Sequence, residues 1–426
     1  MLSRIVRLDR LIVLISLISM GLLYSSSTRA ETSLTVEQYF SNRYATLAKS
    51  LANPGNTILD KPQNVVEDDI RPELKLTTRS TRWVLRPRFL LQYKYWNEGS
   101  KANAGEEDGS ANVTDAYVDV RWSDSFRTLT GLEVYQWGPA ELYNASNPLY
   151  HLSADGRSAF YKEKGQALVR VSWDATKNWN NMLILNPVSN NEPEWRAEQK
   201  FYGNGFLKTE LRTKSGQSYV GLLGGTQSDG RKFFGEYLCM TSDIGWSAYL
   251  DARHPVGTRI YVPLLDTTTG RYEMNELSDD VALQSLLISG VRYEGRVDVR
   301  LEYFFNSDGY STKELEWALQ SLSTASPTLA RNFNYFFKSG LELPGQHYVY
   351  ASIRVPDIGW KKQGSFAIRD LISGQDASNI LQLSAEQPVS DSVVLNFEAS
   401  AFLGQDDREL TLVDRSVVTA GLKWTL

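Results

Sequence analysis

Ionised and apolar residues take turns along several stretches of this 426-residue chain. The clearest is Val297 to Phe305, where Val297, Val299, Leu301, Tyr303 and Phe305 interleave with Arg296, Asp298, Arg300 and Glu302. A period of two belongs to a β-strand, which sends successive side chains to opposite faces. One face of this strand is greasy and the other carries four consecutive charges, which the core of a soluble sandwich could not bury. By the same alternation Arg86, Arg88, Lys94, Arg121, Arg127, Arg170, Arg292, Arg296, Arg300 and Arg354 fall on polar faces, with Asp115, Asp119, Glu133, Asp174, Asp298, Glu302 and Glu398. Bases lead acids by ten to seven, and nine of the ten are arginine, whose planar fork suits carboxylate or phosphate. Lining a water-filled bore, such groups focus field on a permeating anion. Paired with one another, they brace a wall. The alternation is compatible with both.

Other chemistry finds little support. The three histidines, His151, His254 and His347, are far apart, and none stands beside a nucleophile in a pattern that would activate it, so no enzyme is expected. One cysteine, Cys239, and no close histidine pair leave no metal-ligand set, and no cofactor motif is present. Glu106, Glu107 and Asp108 read as a solvated loop tip rather than a calcium site. A net charge of -5 offers no footprint for nucleic acid.

The elements that position the charges follow from the same periodicity. Residues 1–30 have the basic, apolar and small-x-small segments of an export signal, with Arg4, Arg7 and Arg10, then Leu11 to Leu23, then Thr28-Arg29-Ala30. Beyond them no apolar run approaches the roughly 20 residues of a membrane-crossing helix. Val36, Phe40, Tyr44, Leu47 and Leu51 recur at helical spacing, which predicts an amphipathic helix in a periplasmic segment covering 31–80. From Trp83 the period is two to the end. A soluble sheet also alternates. Three features favour a transmembrane barrel over 81–426: aromatics beside short turns (Trp122 and Phe126, Trp173 and Trp179), short turns alternating with long polar loops, and an alternating carboxy-terminal strand ending Trp424-Thr425-Leu426. That last strand resembles the assembly signal of Gram-negative outer-membrane proteins, with Leu in place of the commoner Phe. The predicted fold is all-β, an antiparallel up-and-down barrel. Parity gives sixteen strands, with one outer loop from Ser307 to Gln346 holding a helix near Glu314 to Leu322; if Phe333 to Leu343 is a strand, eighteen is the answer. Either size leaves an aqueous lumen.

Two segments carry more than composition. Thr130-Gly131-Leu132-Glu133-Val134-Tyr135-Gln136-Trp137-Gly138, followed by Glu141 and Asn147-Pro148, resembles the Trp-Gly then Asn-Pro pattern of porin-like outer-membrane barrels. Leu301 to Ser311 is similar to a Glu-Tyr-x-x-Asn-x-x-Gly-Tyr stretch of the same family, in the style of alginate-export barrels. The resemblance covers about a quarter of the chain. It implies that Gln136 to Asn147, with Gln136, Trp137, Glu141 and Asn147 as marker residues, folds at the barrel mouth as a constriction. The chain departs from many members in having Glu133-Val134-Tyr135 where they carry an Arg-Gln pair. On the residues alone, Gly138 and Pro139 end a strand.

The expected function is passive diffusion of small polar or anionic solutes through an outer-membrane channel. Its partners would be outer-membrane lipids and lipopolysaccharide, the barrel-assembly machinery through the last strand, and those solutes. Two rivals stand beside it: a polysaccharide exporter whose 36–51 helix docks a periplasmic protein, and a non-conducting surface or assembly barrel.

Overall fold

The computed structural model describes residues 30–50, 53–149, 159–160, 164–186, 203–227, 231–322, 332, 336 and 343–426. The expected signal (apart from Ala30), His151 and most of Phe333 to Leu343 lie outside them.

The chain folds as antiparallel strands, each beside its neighbour in sequence. They are β1 (Glu31–Leu47), β2 (Asn64–Thr77), β3 (Thr81–Tyr95), β4 (Gly105–Arg121), β5 (Phe126–Glu133) and β6 (Gln166–Thr176). Next come β7 (Trp179–Leu185), β8 (Gly203–Arg212), β9 (Tyr219–Gln227), β10 (Lys232–Thr241), β11 (Trp246–Asp266), β12 (Arg271–Leu283) and β13 (Leu286–Glu294). The last are β14 (Asp298–Asn306), β15 (His347–Ile358), β16 (Gly364–Ser373), β17 (Asn379–Pro388), β18 (Val393–Leu403) and β19 (Asp414–Thr425). β1 pairs with both β2 and β19, from Glu37 opposite Thr425 to Leu47 opposite Asp414, so the sheet closes on itself without a free edge. β12 is not in the wall. It pairs with the second half of β11, while the first half, Trp246 to Arg253, pairs with β13. The hairpin of β11 and β12 therefore projects past the rim, and the described barrel has eighteen strands.

Sixteen of those, β3 to β11 and β13 to β19, lie where sixteen were expected. The difference is at the amino end. Val36 to Leu47 is strand, not helix, and the barrel starts at residue 31 rather than 81. The reason is geometric. Residues 36, 40 and 44 share one face of a strand as well as one face of a helix, because four is a multiple of two and close to 3.6. Leu34, Phe40 and Tyr44 point outward and are exposed, while Tyr39, Ser41 and Ala45 are buried inward. Gln38 and Asn42 occupy outward positions and interrupt the apolar pattern that would have marked the strand. In β2, three successive acids, Glu67, Asp68 and Asp69, do the same.

The outer face carries Leu, Val, Ile and aromatic side chains. Exposed Trp122, Trp179, Trp246, Trp360 and Trp424 gather at the short-turn end, and exposed Tyr44, Tyr93, Phe234 and Tyr303 at the loop end. Two aromatic girdles flanking an apolar band match the two interfaces of a bilayer, so the barrel spans one. At the loop end, α1 (Thr312–Leu322) starts at a capping box in which Ser311 and Glu314 exchange hydrogen bonds (2.7 to 3.4 Å). It packs on the projecting hairpin through Leu315, Ala318 and Leu322 against Met274, with Trp317 stacked on Tyr272.

Beside this cap the carboxyl of Glu409 is buried and accepts hydrogen bonds from Tyr348 Oη and from Ser373 Oγ (2.9 Å). Burial, opposed by the Tyr348 hydrogen bond, pushes its pKa up to about 7. The folded state then binds the extra proton between the ordinary carboxylate range and pH 7, so this contribution is lost as pH rises through that window. Protection of the Thr411 amide from hydrogen exchange, corrected for intrinsic rate, is expected to fall from pH 5 to pH 8 and to become flat in Glu409→Gln. Deletion of 31–47 removes the closing strand, and the variant is expected to lose the heat-modifiable folded band on electrophoresis.

Candidate functional site

β5 stops at Glu133, and the chain then turns into the bore instead of out of it. Residues 134–149 run inside the barrel, where Trp137, Leu142, Tyr143, Asn144, Ser146 and Asn147 are all buried. Gly138 makes the turn possible: its φ is +106°, and a Cβ there would come within 2.4 Å of Asp251 Oδ2. A segment inside the lumen has no neighbouring strand to take its backbone N–H groups, so side chains must. The wall supplies two carboxylates. Glu302 of β14 accepts from the N–H groups of Glu141 and Leu142 at 2.6 and 2.7 Å, and from Tyr249 Oη at 2.6 Å. Asp251 of β11 accepts from the Ser146 N–H at 2.6 Å. Within the loop, Trp137 Nε1 donates to Ser146 Oγ at 3.1 Å.

Apolar packing completes the anchor. Leu142, Tyr143 and Ala145 join inward-facing Tyr249, Ile288, Phe304 and Tyr348, with the Tyr143 and Phe304 rings 4.9 Å apart. Trp137 and Leu149 join Leu168, Ile184, Phe206 and Phe233 on the adjoining wall. Further along, the Ala159 N–H donates to Glu398 Oε1 and Arg71 Nη2 donates to the Phe160 carbonyl, both at 2.7 Å. The connection between β5 and β6 thus touches β11 and β14 on one side and β2 and β18 on the other.

Between this loop and the wall of β13 to β18 lies a polar cavity of about 410 Å³. Arg292, Arg300, Arg354 and Arg369 come to it from four successive strands. Arg292 stands opposite Arg300 in register, Arg354 opposite Asp298, and Arg369 opposite Ser352. Arg292 is held by Asp298 at 2.6 and 3.0 Å and by Glu294 at 3.0 Å. Arg300 and Arg369 reach Glu141 of the loop, at 3.1 and 3.6 Å. Arg354 is exposed to the lumen and makes no ion pair among the described residues. Guanidinium groups stacked along the bore can hand an anion from one to the next.

No protein-family model and no curated protein matches the chain. Solved structures do match in fold. OprD of Pseudomonas aeruginosa is 11% identical with a TM-score of 0.50, over 94% of this chain and 97% of that one. A BenF-like porin from Pseudomonas fluorescens Pf-5 is 11% identical with a TM-score of 0.50, over 93% and 99%. OccAB1 of Acinetobacter baumannii is 10% identical with a TM-score of 0.51, over 93% and 96%. The fold is that of Gram-negative outer-membrane porins.

Within this porin-like barrel the charges expected on polar faces take several places. Arg86 bridges Glu73 and Asp115, and Arg88 grips Asp69 at 2.7 to 3.0 Å. Arg170 pairs with Glu133 at 2.8 Å and lies over the Tyr135 ring, and Lys94 pairs with Asp108 at 2.8 Å. Arg121 meets Asp124 (2.6 Å) at a short turn, and Arg127 stands 3.9 Å from Asp119. Arg296 sits in the turn between β13 and β14, not on a strand. Of the ten, Arg292, Arg300 and Arg354 line the cavity. Of the four loop residues, Trp137, Glu141 and Asn147 make loop or wall contacts inside the bore; Gln136 lies among them, exposed. Arg369 was missed, although Phe366, Ile368 and Ile372 alternate around it. Asp69 and Arg71 were missed with β2, and Asp251 gives no sign in sequence that it receives a backbone N–H 105 residues away.

Glu302→Ala leaves two buried N–H groups and a phenol without an acceptor, each costing roughly 1–3 kcal/mol. The urea unfolding transition followed by Trp fluorescence is expected to shift to lower urea, and Glu302→Gln, which keeps one acceptor oxygen, to shift it less.

Proposed function

We propose that the chain is an outer-membrane channel for passive diffusion of small polar or anionic solutes. The observation that carries this reading is the row of four arginines around the 410 Å³ cavity, with Arg354 left to face the lumen without an ion pair among the described residues. Arg292, Arg300 and Arg369 are met by Asp298, Glu294 and Glu141, so the charge of the row that no ion pair offsets is that of Arg354. An anion entering the row exchanges part of its hydration shell for guanidinium N–H groups and leaves along the next one, a mechanism that needs no cofactor. The BenF-like barrel of the same fold is named a porin, which agrees. Residues 1–30 would direct export, β19 would be the strand read during assembly, and the apolar belt would meet lipid and lipopolysaccharide.

The exporter reading loses its docking element, because 36–47 is a wall strand. The likeness to alginate-export barrels now rests on the two sequence segments alone. A filled, silent barrel is the reading that the packed loop favours as a second choice, since Trp137, Leu142 and Tyr143 close part of the bore.

Planar-bilayer recording across a salt gradient separates these. The reversal potential is expected to favour anions, and Arg354→Gln to lower the anion-to-cation permeability ratio by about tenfold, since one charge about 6 Å away in water is worth about threefold on each ion with opposite sign. Cation preference in the wild type would overturn the anion reading, and absence of current would favour the filled barrel.

A further inference from the structure

A carboxylate already sits in the arginine row, and it belongs to the chain itself. Glu141 projects from the pinned loop onto four donors of the opposite wall. Its Oε2 lies 3.1 Å from Arg300 Nε and accepts from Ser352 Oγ at 3.3 Å. Its Oε1 accepts from Tyr350 Oη at 3.0 Å and lies 3.6 Å from Arg369 Nε. Two guanidinium groups, a phenol and a hydroxyl, from three consecutive strands, make a carboxylate receptor.

The fit is incomplete. Arg300 Nε and Arg369 Nε are buried, and neither donates a well-formed hydrogen bond. Buried N–H groups without acceptors are costly, so a freely oriented anion would satisfy this pair better than one tied to a loop. The tie itself is rigid at one end only. The N–H groups of Glu141 and Leu142 are bolted to Glu302, which leaves the side-chain torsions of Glu141 as the movable part.

Resting on the channel reading, we propose that Glu141 is a tethered occupant of a carboxylate-binding site, and that a passing anion enters by exchanging places with it. A tethered group competes at an effective concentration of order millimolar, so free anions bind weakly and leave quickly. Conduction requires both. The loop backbone stays where it is while only the carboxylate swings aside.

The test uses the full-length protein in planar bilayers, with gluconate as the probe of current block, in the wild type, Glu141→Ala and Glu141→Gln. Gluconate is expected to block both variants at about tenfold lower concentration, as for a site otherwise free about one-tenth of the time. Equal blocking concentrations in all three proteins overturn the exchange while leaving the channel reading intact. Absence of current from all three, with heat-modifiable folded barrels on electrophoresis, overturns the channel reading and the exchange with it. Should the alanine variant fail to fold, the isosteric glutamine variant decides alone.

Discussion

A backbone taken into the bore of a barrel has to find acceptors for its N–H groups, and here two wall carboxylates provide them. Glu302 and Asp251 reach the loop that follows β5 at three backbone positions. Had these positions held apolar side chains, the segment from Val134 to Leu149 would carry buried donors with no partner, and water outside the barrel would be the better place for it. The rest of the interior depends on this choice. Trp137 and Tyr143 pack where they do because the backbone beneath them is held, and the cavity takes its size from what the loop leaves open.

The same economy explains how charge is distributed around the wall. On β2 to β6, arginines and acids face one another across neighbouring strands, as in Arg88 with Asp69 and Arg170 with Glu133. These pairs are partly buried, and their desolvation is offset only because geometry and further hydrogen bonds are good. They brace. On β13 to β18 two acids also serve the inner segment: Glu302 of β14 accepts from the loop backbone, and Glu398 of β18 from the amide of Ala159. Arg354 of that sector is left without an ion pair among the described residues. Of the two uses of lumen arginine that the sequence left open, bracing is seen on β2 to β6, and anion holding is what we propose for the row on β13 to β16.

Closure is the second constraint on the fold. A sheet with apolar and aromatic side chains on its outer face could not end in open edges within a bilayer, because unpaired backbone groups find no water there. β1 removes both edges at once by pairing with β2 and β19. The hairpin of β11 and β12 needs no such closure, since it stands beyond the rim and is covered on one face by α1.

Alternation of period two, joined by aromatics beside short turns and an alternating last strand, pointed from sequence alone to a barrel and to the faces of its regular strands that meet lipid, while Gly138 and Pro139 marked where the chain leaves its strand. Such signals are local: they depend on neighbours two residues apart, on turn residues and on aromatic placement. Where β1 spaces its apolar groups by four, local reading could not separate strand from helix; only its pairing with β19, nearly 400 residues away, settles that it is wall. The number eighteen follows from that pairing. Which arginines are neutralised, which carboxylates serve a backbone instead, and that Glu141 lies against Arg300 and Arg369 were likewise decided by the tertiary structure. Each depends on side chains from strands remote in sequence meeting across a lumen, and no period along one strand records what faces it from the other side.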